Sequence, residues 1–450
     1  MRSVTLRERG RLHRLRPGRA APQEDTPDAV WLEARLFDRL RDYDRTRADG
    51  AAFDWGVEEA RAGQWVGVVQ VPGLALELLP KIDAPAGSGD GSVGLARDNL
   101  LVMLAEAGEI PLRVRDLAAL STRPAPLHET LVTLFAKRIL SELSKGPHRA
   151  YVGETDDLPA LRGKLLVSRH LARNAARRER FTCGYEDYSV DTPLGRVLRA
   201  TCRALLGRVQ REETREVLGR CMLLLEDITD VMDARSLLER VVLDRKSERF
   251  ADLLAFCRLV LEQQAPTSRA GATTTFSLLF DMDRVFEGFV AGFLRRKVMP
   301  GFGDLQLRAQ GQGARAPLLR TERDQGALYL KPDLLLTARD SREAKAVLDT
   351  KWKRLGPLTQ RKQAGLGAAD LYQMFAYTQR YDVARSVLLF PWTPGSEERE
   401  FHVMGPGDAP EGSRICVRFV DLRRNLRCKA ERVVLADDLS GMLSRALVPA

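Results

Sequence analysis

Two carboxylates and one ammonium group fall in a short segment with the spacing of a catalytic site. Asp333 directly follows Pro332, and one residue separates Asp349 from Lys351. Because side chains alternate along a strand, Asp349 and Lys351 share one face. Carboxylates bind Mg²⁺ together with waters and phosphate oxygens, and a lysine can orient or acidify an attacking water. The set therefore suits metal-dependent hydrolysis of a phosphodiester.

The apolar runs around these residues predict the strands that position them. Two runs of strand length, 327–337 and 345–352, are separated by the polar, turn-like segment 338–343. Pro332 has no N–H to donate, so it must lie at a strand start, a bulge or an edge. A hairpin formed by the two runs brings both carboxylates and the lysine within reach of one point.

Helices on either side of this hairpin add polar groups to the set. Glu287 lies at the border of an apolar stripe in the predicted helix 281–298, where it is a candidate third acid near a metal. Gln373 and Tyr377 are four residues apart in the predicted helix 369–381, so they share one helical face. There they can contact a DNA backbone or hold the lysine segment by hydrogen bonds.

Each part of this set has a common structural explanation when it is taken alone. A Pro-Asp pair is usually a turn, and an Asp-x-Lys pair is usually a solvated strand face. Glu287 alone fits a surface or cap position, and Gln373 with Tyr377 fits a packed helix face. The order of helix Glu, strand Asp, strand Asp-x-Lys and helix Gln-x-x-x-Tyr is much less expected by chance. The combination therefore favours a nuclease site.

Composition and charge are those of a soluble globular protein that suits acidic partners. The 450 residues are 44% hydrophobic and 29% charged, and 71 Lys and Arg against 61 Asp and Glu give a net charge of +10. No two of the six cysteines have C-x-x-C spacing, which disfavours a zinc or iron–sulfur site. The chain shows no P-loop, signal peptide or membrane-length apolar run, so we expect a cytoplasmic protein without its own nucleotide motor.

The order of predicted elements indicates an α+β or α/β multidomain protein. We expect a β-rich N-terminal domain at 1–115, with a hairpin that turns at Pro72-Gly73. A helical middle domain follows at 116–265. The C-terminal domain at 266–450 is predicted to hold a mixed sheet flanked by helices, and the small, polar residues 263–275 are predicted to form the linker into it.

A basic block in the middle of the chain has two interpretations. Between Leu161 and Arg180 it holds seven Lys or Arg against one Glu. It can bind DNA phosphates, or it can be a solvated helix face near a domain interface, and the sequence favours neither. The candidate DNA-binding residues of the block are Arg162, Lys164, Arg169 and Arg173.

Three stretches of the chain resemble McrC, the nuclease subunit of McrBC-type modified-cytosine restriction systems. The first runs from Gly67 to Ile82 and contains Pro80-Lys81-Ile82. The second joins Leu161-Arg162-Gly163-Lys164 to Asp191-Thr192-Pro193-Leu194. The third is the candidate site itself, which alone resembles only the PD-(D/E)xK nuclease core. The first stretch is the one that singles out McrC.

The resemblance implies a Mg²⁺-dependent DNA endonuclease subunit, with Mn²⁺ as an alternative metal. It implies that Asp333 and Asp349, together with Glu287, are metal ligands. It also implies that Lys351 is the catalytic lysine and that Gln373 belongs to the site. Lys351, Gln373 and Tyr377 are then candidate DNA contacts.

The resemblance also implies a partner. Members of the family dock through their N-terminal part on a McrB-like AAA+ GTPase hexamer and stimulate its GTP hydrolysis. GTP would therefore act only through the partner subunit. The partner recognises double-stranded DNA that carries modified cytosine, and the McrC-like subunit cuts it.

Two other functions fit part of the sequence. A stand-alone RecB-like repair nuclease of the PD-(D/E)xK type would share the spacing of Gln373 and Tyr377. A catalytically silent adaptor would bind and activate a GTPase ring without cutting DNA. The intact set of Asp333, Asp349 and Lys351 argues against the adaptor, and cutting without any partner would favour the stand-alone nuclease.

Overall fold

A computed structural model describes most of the chain and divides it into two compact units. The first unit combines Met1–Pro124 with Thr267–Ala450, and the second is Ala125–Pro266. The division into three domains stays a prediction, and the predicted linker 263–275 lies outside the described residues. The residues that the structure describes are 1–16, 23–47, 49–83, 91–118, 125–177, 179–245, 247–262, 276–309, 314–322, 326–355, 365–405 and 410–447.

The strands and helices are numbered here along the chain. The strands are β1 (Arg2–Arg7), β2 (Arg11–Leu15), β3 (Ala29–Glu33), β4 (Phe53–Trp55), β5 (Glu59–Ala62), β6 (Trp65–Val71), β7 (Leu74–Leu79), β8 (Ala150–Leu158), β9 (Lys164–Leu165), β10 (Phe181–Ser189), β11 (Phe276–Asp281), β12 (Leu305–Ala309), β13 (Ala316–Arg320), β14 (Gly326–Leu330), β15 (Leu334–Ala338), β16 (Ala344–Thr350), β17 (Arg385–Pro391), β18 (Arg399–Met404) and β19 (Pro410–Val420). The helices are α1 (Ala34–Arg45), α2 (Gly91–Ala107), α3 (Val114–Ala118), α4 (Leu127–Leu143), α5 (Val167–Asn174), α6 (Pro193–Leu206), α7 (Glu212–Leu224), α8 (Arg235–Leu238), α9 (Ala251–Glu262), α10 (Met282–Phe293), α11 (Ala368–Tyr381) and α12 (Lys429–Ala446). None of the helices within the described residues is both long enough and apolar enough to cross a lipid bilayer.

One sheet of the first unit joins distant parts of the sequence. Its strand order is β1-β7-β6-β11, and the predicted hairpin at Pro72-Gly73 is formed by β6 and β7. Gly67 in β6 has a φ of 129°, and a Cβ at this position would overlap the carbonyl oxygen of Leu278 in β11. The glycine of the first family-like stretch is therefore needed for close pairing of β6 with β11.

A mixed six-stranded sheet carries the candidate site. Its order is β12-β15-β16-β17-β19-β18, with parallel pairing of β16 with β17 and of β17 with β19. The other neighbouring strands of this sheet pair in antiparallel fashion, including the predicted hairpin of β15 and β16. Buried residues from this sheet, among them Val347, Leu388 and Val417, form a core with Met374 and Tyr377 of α11. The helix that carries the predicted Gln-x-x-x-Tyr pair thus packs on the sheet.

The predicted strand 327–337 is wrong, because Pro332 divides it. β14 pairs with β13 in a separate two-stranded sheet, whereas β15 begins at Leu334 and enters the large sheet. A proline cannot donate a hydrogen bond to a neighbouring strand, so the ladder stops where its N–H is missing. Asp333 therefore lies at the start of β15 rather than within a strand.

The second unit contains helices and one sheet that the sequence did not predict. α4 packs against α7, and α6 packs against α9. The prediction of a helical middle domain is wrong for residues 150–158, 164–165 and 181–189, where β8, β9 and β10 form an antiparallel sheet. Polar runs such as Glu154-Thr155-Asp156-Asp157 give these strands no clear apolar alternation, so the signal for a half-buried strand is missing.

The second family-like stretch has structural roles within this unit. Gly163 has a φ of 68°, and a Cβ there would crowd the backbone of Gly184 and Tyr185 in β10. Thr192 is the N-cap of α6, because its hydroxyl accepts the N–H of Gly195 at 3.2 Å, and Pro193 occupies the first helical turn.

Candidate active site

The β15–β16 hairpin places Asp333 and Asp349 at the same end of two paired strands. Leu334 pairs with Leu348, so the two aspartates come next at this end of the hairpin. Asp333 Oδ2 accepts hydrogen bonds from the backbone N–H and the hydroxyl of Thr350, at 2.7 and 2.8 Å. The N–H and the hydroxyl of Thr350 therefore anchor one of the two candidate metal ligands.

Lys351 and Asp349 form an ion pair at the end of β16. Lys351 Nζ lies 2.7 Å from Asp349 Oδ2, and the Asp349 side chain is only 1% exposed while that of Lys351 is 24% exposed. The backbone N–H of Lys351 donates to the carbonyl oxygen of Leu389 in β17 at 2.9 Å. The lysine is therefore fixed at both its backbone and its ammonium group, and part of its side chain reaches solvent.

Two side chains of α11 form hydrogen bonds to the segments that carry the site. Gln373 Nε2 lies 3.3 Å from Asp349 Oδ1 and donates to the Tyr377 hydroxyl at 2.8 Å. The Tyr377 hydroxyl donates in turn to the carbonyl oxygen of Lys331 at 3.0 Å, just ahead of Pro332. This chain of hydrogen bonds ties the helix to the segments before Asp333 and around Asp349.

The burial of Tyr377 argues against the prediction that it contacts DNA. The residue is 2% exposed and belongs to the core between α11 and the sheet. So little accessible surface leaves almost nothing for a bound duplex to contact, and the hydroxyl is already engaged by Gln373 and Lys331. Tyr377 is therefore a residue that positions the site.

Glu287 on α10 interacts electrostatically with both aspartates. Burial, followed by the charges of Asp333 and Asp349, raises its pKa from 4.5 to about 7. Burial, followed by the charge of Asp333, raises the pKa of Asp349 from 3.8 to about 6 against the opposing effect of Lys351. The pKa of Asp333 is raised by burial as well, although its bonds from Thr350 oppose this. Three acids thus share a region that disfavours their negative charge.

Lys351 supplies one compensating positive charge. Burial lowers the pKa of its ammonium group, but the charge and hydrogen bond of Asp349, together with the charges of Asp333 and Asp370, outweigh burial and raise the pKa above 10.5. Lys351 therefore stays protonated at neutral pH, where it can orient a water or stabilise charge on a phosphate.

The donor set fits a hard divalent cation. Asp333 and Asp349 offer carboxylate oxygens whose pKa values are raised, and a bound cation would lower these pKa values by stabilising the negative charge. Within the described residues, no three His, Cys, Asp or Glu side chains are grouped so that they could hold a metal ion by themselves. Mg²⁺ commonly needs only one or two carboxylates, because waters and phosphate oxygens complete its shell. Ligation by Glu287 stays a prediction.

The four basic candidates for DNA binding lie in the second compact unit. Arg162 donates to Asp187 Oδ1 at 2.8 Å, and its guanidinium lies 4.1 Å from the ring centroid of Tyr185. Lys164 is exposed in β9, and Arg169 and Arg173 are exposed on α5. The Arg162 side chain thus contacts residues of its own unit, and DNA binding by all four basic residues stays a prediction.

Sequence reasoning missed several residues that support the lysine segment. Lys353 Nζ lies 2.9 Å from Asp370 Oδ2 on α11. Continued alternation after Asp349 and Lys351 could have suggested that Lys353 lies on the same face, but not that Asp370 is its partner. Trp352 Nε1 donates to Glu8 Oε2 at 2.7 Å across 344 positions of sequence. No local pattern marks a partner at such a separation.

Comparison with solved structures shows a shared fold. A chain in the refined half-complex from the tetradecameric assembly of Thermococcus gammatolerans McrB AAA+ hexamers with bound McrC matches with a TM-score of 0.68 and 20% identity. The match covers 98% of this chain and 100% of that chain. A chain of the cryo-EM structure of the Thermococcus gammatolerans McrBC complex has a TM-score of 0.48 and 23% identity, over 66% of this chain and 88% of that chain.

The sequence comparison identifies the family. No curated protein matches the chain. The family described as McrBC 5-methylcytosine restriction system component matches residues 60–391, which is well over half of the chain and includes all three stretches that resemble McrC. The resemblance to McrC is thereby confirmed, and the chain belongs to the family of McrBC 5-methylcytosine restriction system components.

Proposed function

We propose that this chain is the metal-dependent DNA endonuclease subunit of a McrBC-type, modification-dependent restriction complex. The observation that carries the proposal is the Asp349–Lys351 ion pair of 2.7 Å beside Asp333 at the end of the hairpin. Two carboxylates and a lysine at the end of paired strands are the groups that phosphodiester hydrolysis requires.

Each residue has a specific task in this proposal. Asp333 and Asp349 would hold Mg²⁺, or Mn²⁺ in its place, with Glu287 as a further acid nearby. When bound, the cation supplies charge neutralisation on the scissile phosphate. Lys351 orients the attacking water and stabilises negative charge, while Gln373 keeps the Asp349 carboxylate in place through its contact of 3.3 Å.

The proposal includes a partner that supplies DNA recognition and movement. The Thermococcus gammatolerans structure contains McrB AAA+ hexamers with bound McrC, and its matching chain has the fold of this one. We propose that this chain docks on a McrB-type AAA+ GTPase hexamer and stimulates it. GTP then acts through the partner, and the substrate is double-stranded DNA with modified cytosine.

A cleavage assay with the reconstituted complex tests this function. The full chain is combined with a McrB-type AAA+ GTPase from the same organism, and plasmids with and without 5-methylcytosine are incubated with GTP and Mg²⁺. We expect double-strand cuts in the modified plasmid only, and none after EDTA or without GTP. Cutting by this chain alone would support a stand-alone nuclease. Stimulated GTP hydrolysis without any cutting would support the silent adaptor.

A further inference from the structure

A buried carboxylate from the N-terminal strand region contacts the segment that follows the candidate catalytic lysine. Glu8 comes directly after β1 and is 5% exposed. Its Oε1 accepts the backbone N–H of Lys81 at 2.9 Å, and its Oε2 accepts Trp352 Nε1 at 2.7 Å. One side chain thus bridges the Pro80-Lys81-Ile82 motif and the residue next to Lys351.

Trp352 lies between the candidate catalytic lysine and the helix that carries Glu287. It follows Lys351 directly and is 7% exposed. Its ring lies 5.3 Å from the ring of Phe286, centroid to centroid, at an interplanar angle of 56°. Phe286 precedes Glu287 on α10. The position of the Trp352 ring therefore influences the lysine on one side and α10 on the other.

A second polar contact joins the same two segments. Arg354 donates to both carboxylate oxygens of Asp83, at 2.8 and 2.6 Å. Asp83 follows the Pro80-Lys81-Ile82 motif, and Arg354 follows Trp352 by two residues. The segment after Lys351 is therefore attached to the N-terminal segment at two successive places.

A buried carboxylate is costly unless its hydrogen bonds are satisfied. Burial raises the pKa of Glu8, while the bonds from Trp352 and Lys81 lower it. Each of its two oxygens accepts a hydrogen bond from a different segment, which fixes the side chain in one place. A shift of one segment would therefore move the other.

We propose that Glu8 is a positioning residue of the nuclease site and acts on Lys351 through Trp352. The inference rests on the proposed function for its catalytic meaning. The hydrogen bond to Trp352 fixes the course of the chain after β16, so that the Lys351 ammonium stays beside Asp349. The N-terminal segment thereby sets the geometry of cleavage, although it contributes no group to the chemistry.

Trp352→Phe is the variant that removes this hydrogen bond and keeps an aromatic ring against Phe286. Outer hydrogen-bond partners of metal sites typically affect activity by about 10- to 100-fold. In the full complex with its AAA+ partner we expect kcat for cleavage to fall by about that factor. We expect KM for DNA and the stimulation of GTP hydrolysis to stay as in wild type. A purely structural role would not produce this split.

Trp55→Phe is the matched control. Trp55 Nε1 donates to the buried carboxylate of Asp44 at 2.8 Å, so the variant removes the same kind of bond in the same N-terminal segment. We expect a similar loss of melting temperature in both variants, but an unchanged kcat only in Trp55→Phe. Equal cleavage by Trp352→Phe and Trp55→Phe would overturn the proposal.

A double variant and a chemical probe separate this inference from the proposed function. If Glu8 acts through the one bond to Trp352, Glu8→Gln combined with Trp352→Phe should cut no more slowly than the slower single variant. Multiplying losses would contradict the inference. Amine labelling of Lys351, read by mass spectrometry, should increase in Trp352→Phe relative to Trp55→Phe. If the wild-type complex does not cut DNA at all, the proposed function fails. Unchanged labelling of Lys351 in Trp352→Phe would overturn the positioning role, whether or not the complex cuts DNA.

Discussion

Asp333 Oδ2 accepts two hydrogen bonds from Thr350, one from its backbone N–H at 2.7 Å and one from its hydroxyl at 2.8 Å. The donor residue lies between Asp349 and Lys351. One threonine therefore ties the first candidate ligand to the strand that carries the second ligand and the lysine. The two halves of the hairpin depend on each other for the geometry of the site.

Thr350→Val should weaken cleavage without abolishing it. The substitution removes the hydroxyl donor and keeps the N–H, so Asp333 loses one of two bonds, worth about 1 kcal/mol of unfolding free energy. We expect cleavage to fall by up to about tenfold, since about 1.4 kcal/mol corresponds to one factor of ten. Single-turnover cleavage and chemical denaturation measure the two effects.

Thr337→Val on the paired strand is the control. Thr337 is 1% exposed, and its hydroxyl has no hydrogen-bond partner in the described part of the chain. We expect this variant to be as stable as wild type or more stable, with unchanged cleavage. A loss of cleavage that is equal in both variants would contradict the role of Thr350.

Glu287→Gln should reduce the pH dependence of stability in the metal-free protein. The pKa of Glu287 is raised from 4.5 to about 7, so its contribution to stability is fully present below pH 4.5 and is lost as the pH rises through 7. Asp349, with a pKa raised from 3.8 to about 6, acts in the same direction. Melting temperatures between pH 4 and 8 should therefore fall less steeply in Glu287→Gln than in wild type.

Mg²⁺ should reverse this loss at higher pH. Metal binding requires deprotonated carboxylates, so the increase in melting temperature on adding Mg²⁺ should be larger at pH 8 than at pH 5. Asp349→Asn should remove most of the increase. An increase that is equal at both pH values would show that the carboxylates are not the binding groups.

Tyr377→Phe should lower the cleavage rate and leave DNA affinity unchanged. The variant removes the bond from the tyrosine hydroxyl to the carbonyl oxygen of Lys331 and the acceptor for Gln373. Because Tyr377 is buried, we expect the loss to act on the geometry around Asp333 and Asp349 and not on a contact with DNA. Tyr372→Phe is the control, since Tyr372 lies on the same helix and is 73% exposed. Weaker DNA binding by Tyr377→Phe would restore the original prediction of a DNA contact.

Much of the site was predictable because its signals are local. The alternation in β16 places Asp349 and Lys351 together, and their ion pair agrees with it. The spacing of Gln373 and Tyr377 predicts one helical face, and the two side chains are hydrogen-bonded. The rule that a proline ends a ladder indicated that Pro332 is special, although the sequence did not show that it separates two sheets.

Other features were out of reach because their causes are distant in sequence. Glu8 reaches Trp352 across 344 positions, and no pattern near either residue marks the contact. β8 and β10 lack apolar alternation, so only their mutual pairing reveals them. The burial of Tyr377 depends on how α11 packs on the sheet. In each case tertiary contacts, rather than local preference, decide the structure.

Gly67→Ala should destabilise the first unit strongly. The residue has a φ of 129°, and a methyl group would overlap the Leu278 carbonyl oxygen. Strain of this kind typically costs several kcal/mol, about 2–4 or more. Gly94→Ala in α2 is the control, because it has open space and the change should stabilise the helix by up to about 1 kcal/mol. Equal unfolding free energies of the two variants would contradict this account of the β6–β11 pairing.

In the proposed function, Lys351 takes part in DNA cleavage beside two metal-binding aspartates, Asp333 and Asp349. Lys345 lies on the same strand in an ion pair of 2.7 Å with Glu343, and its side chain is 38% exposed, so Lys345→Ala removes a lysine without touching the site. The measurement is cleavage of 5-methylcytosine DNA by the complex with its AAA+ partner, GTP and Mg²⁺. We expect Lys351→Ala to abolish cutting but still to stimulate GTP hydrolysis, and Lys345→Ala to do both as wild type does. Wild-type cutting by Lys351→Ala would contradict the role of Lys351 in cleavage.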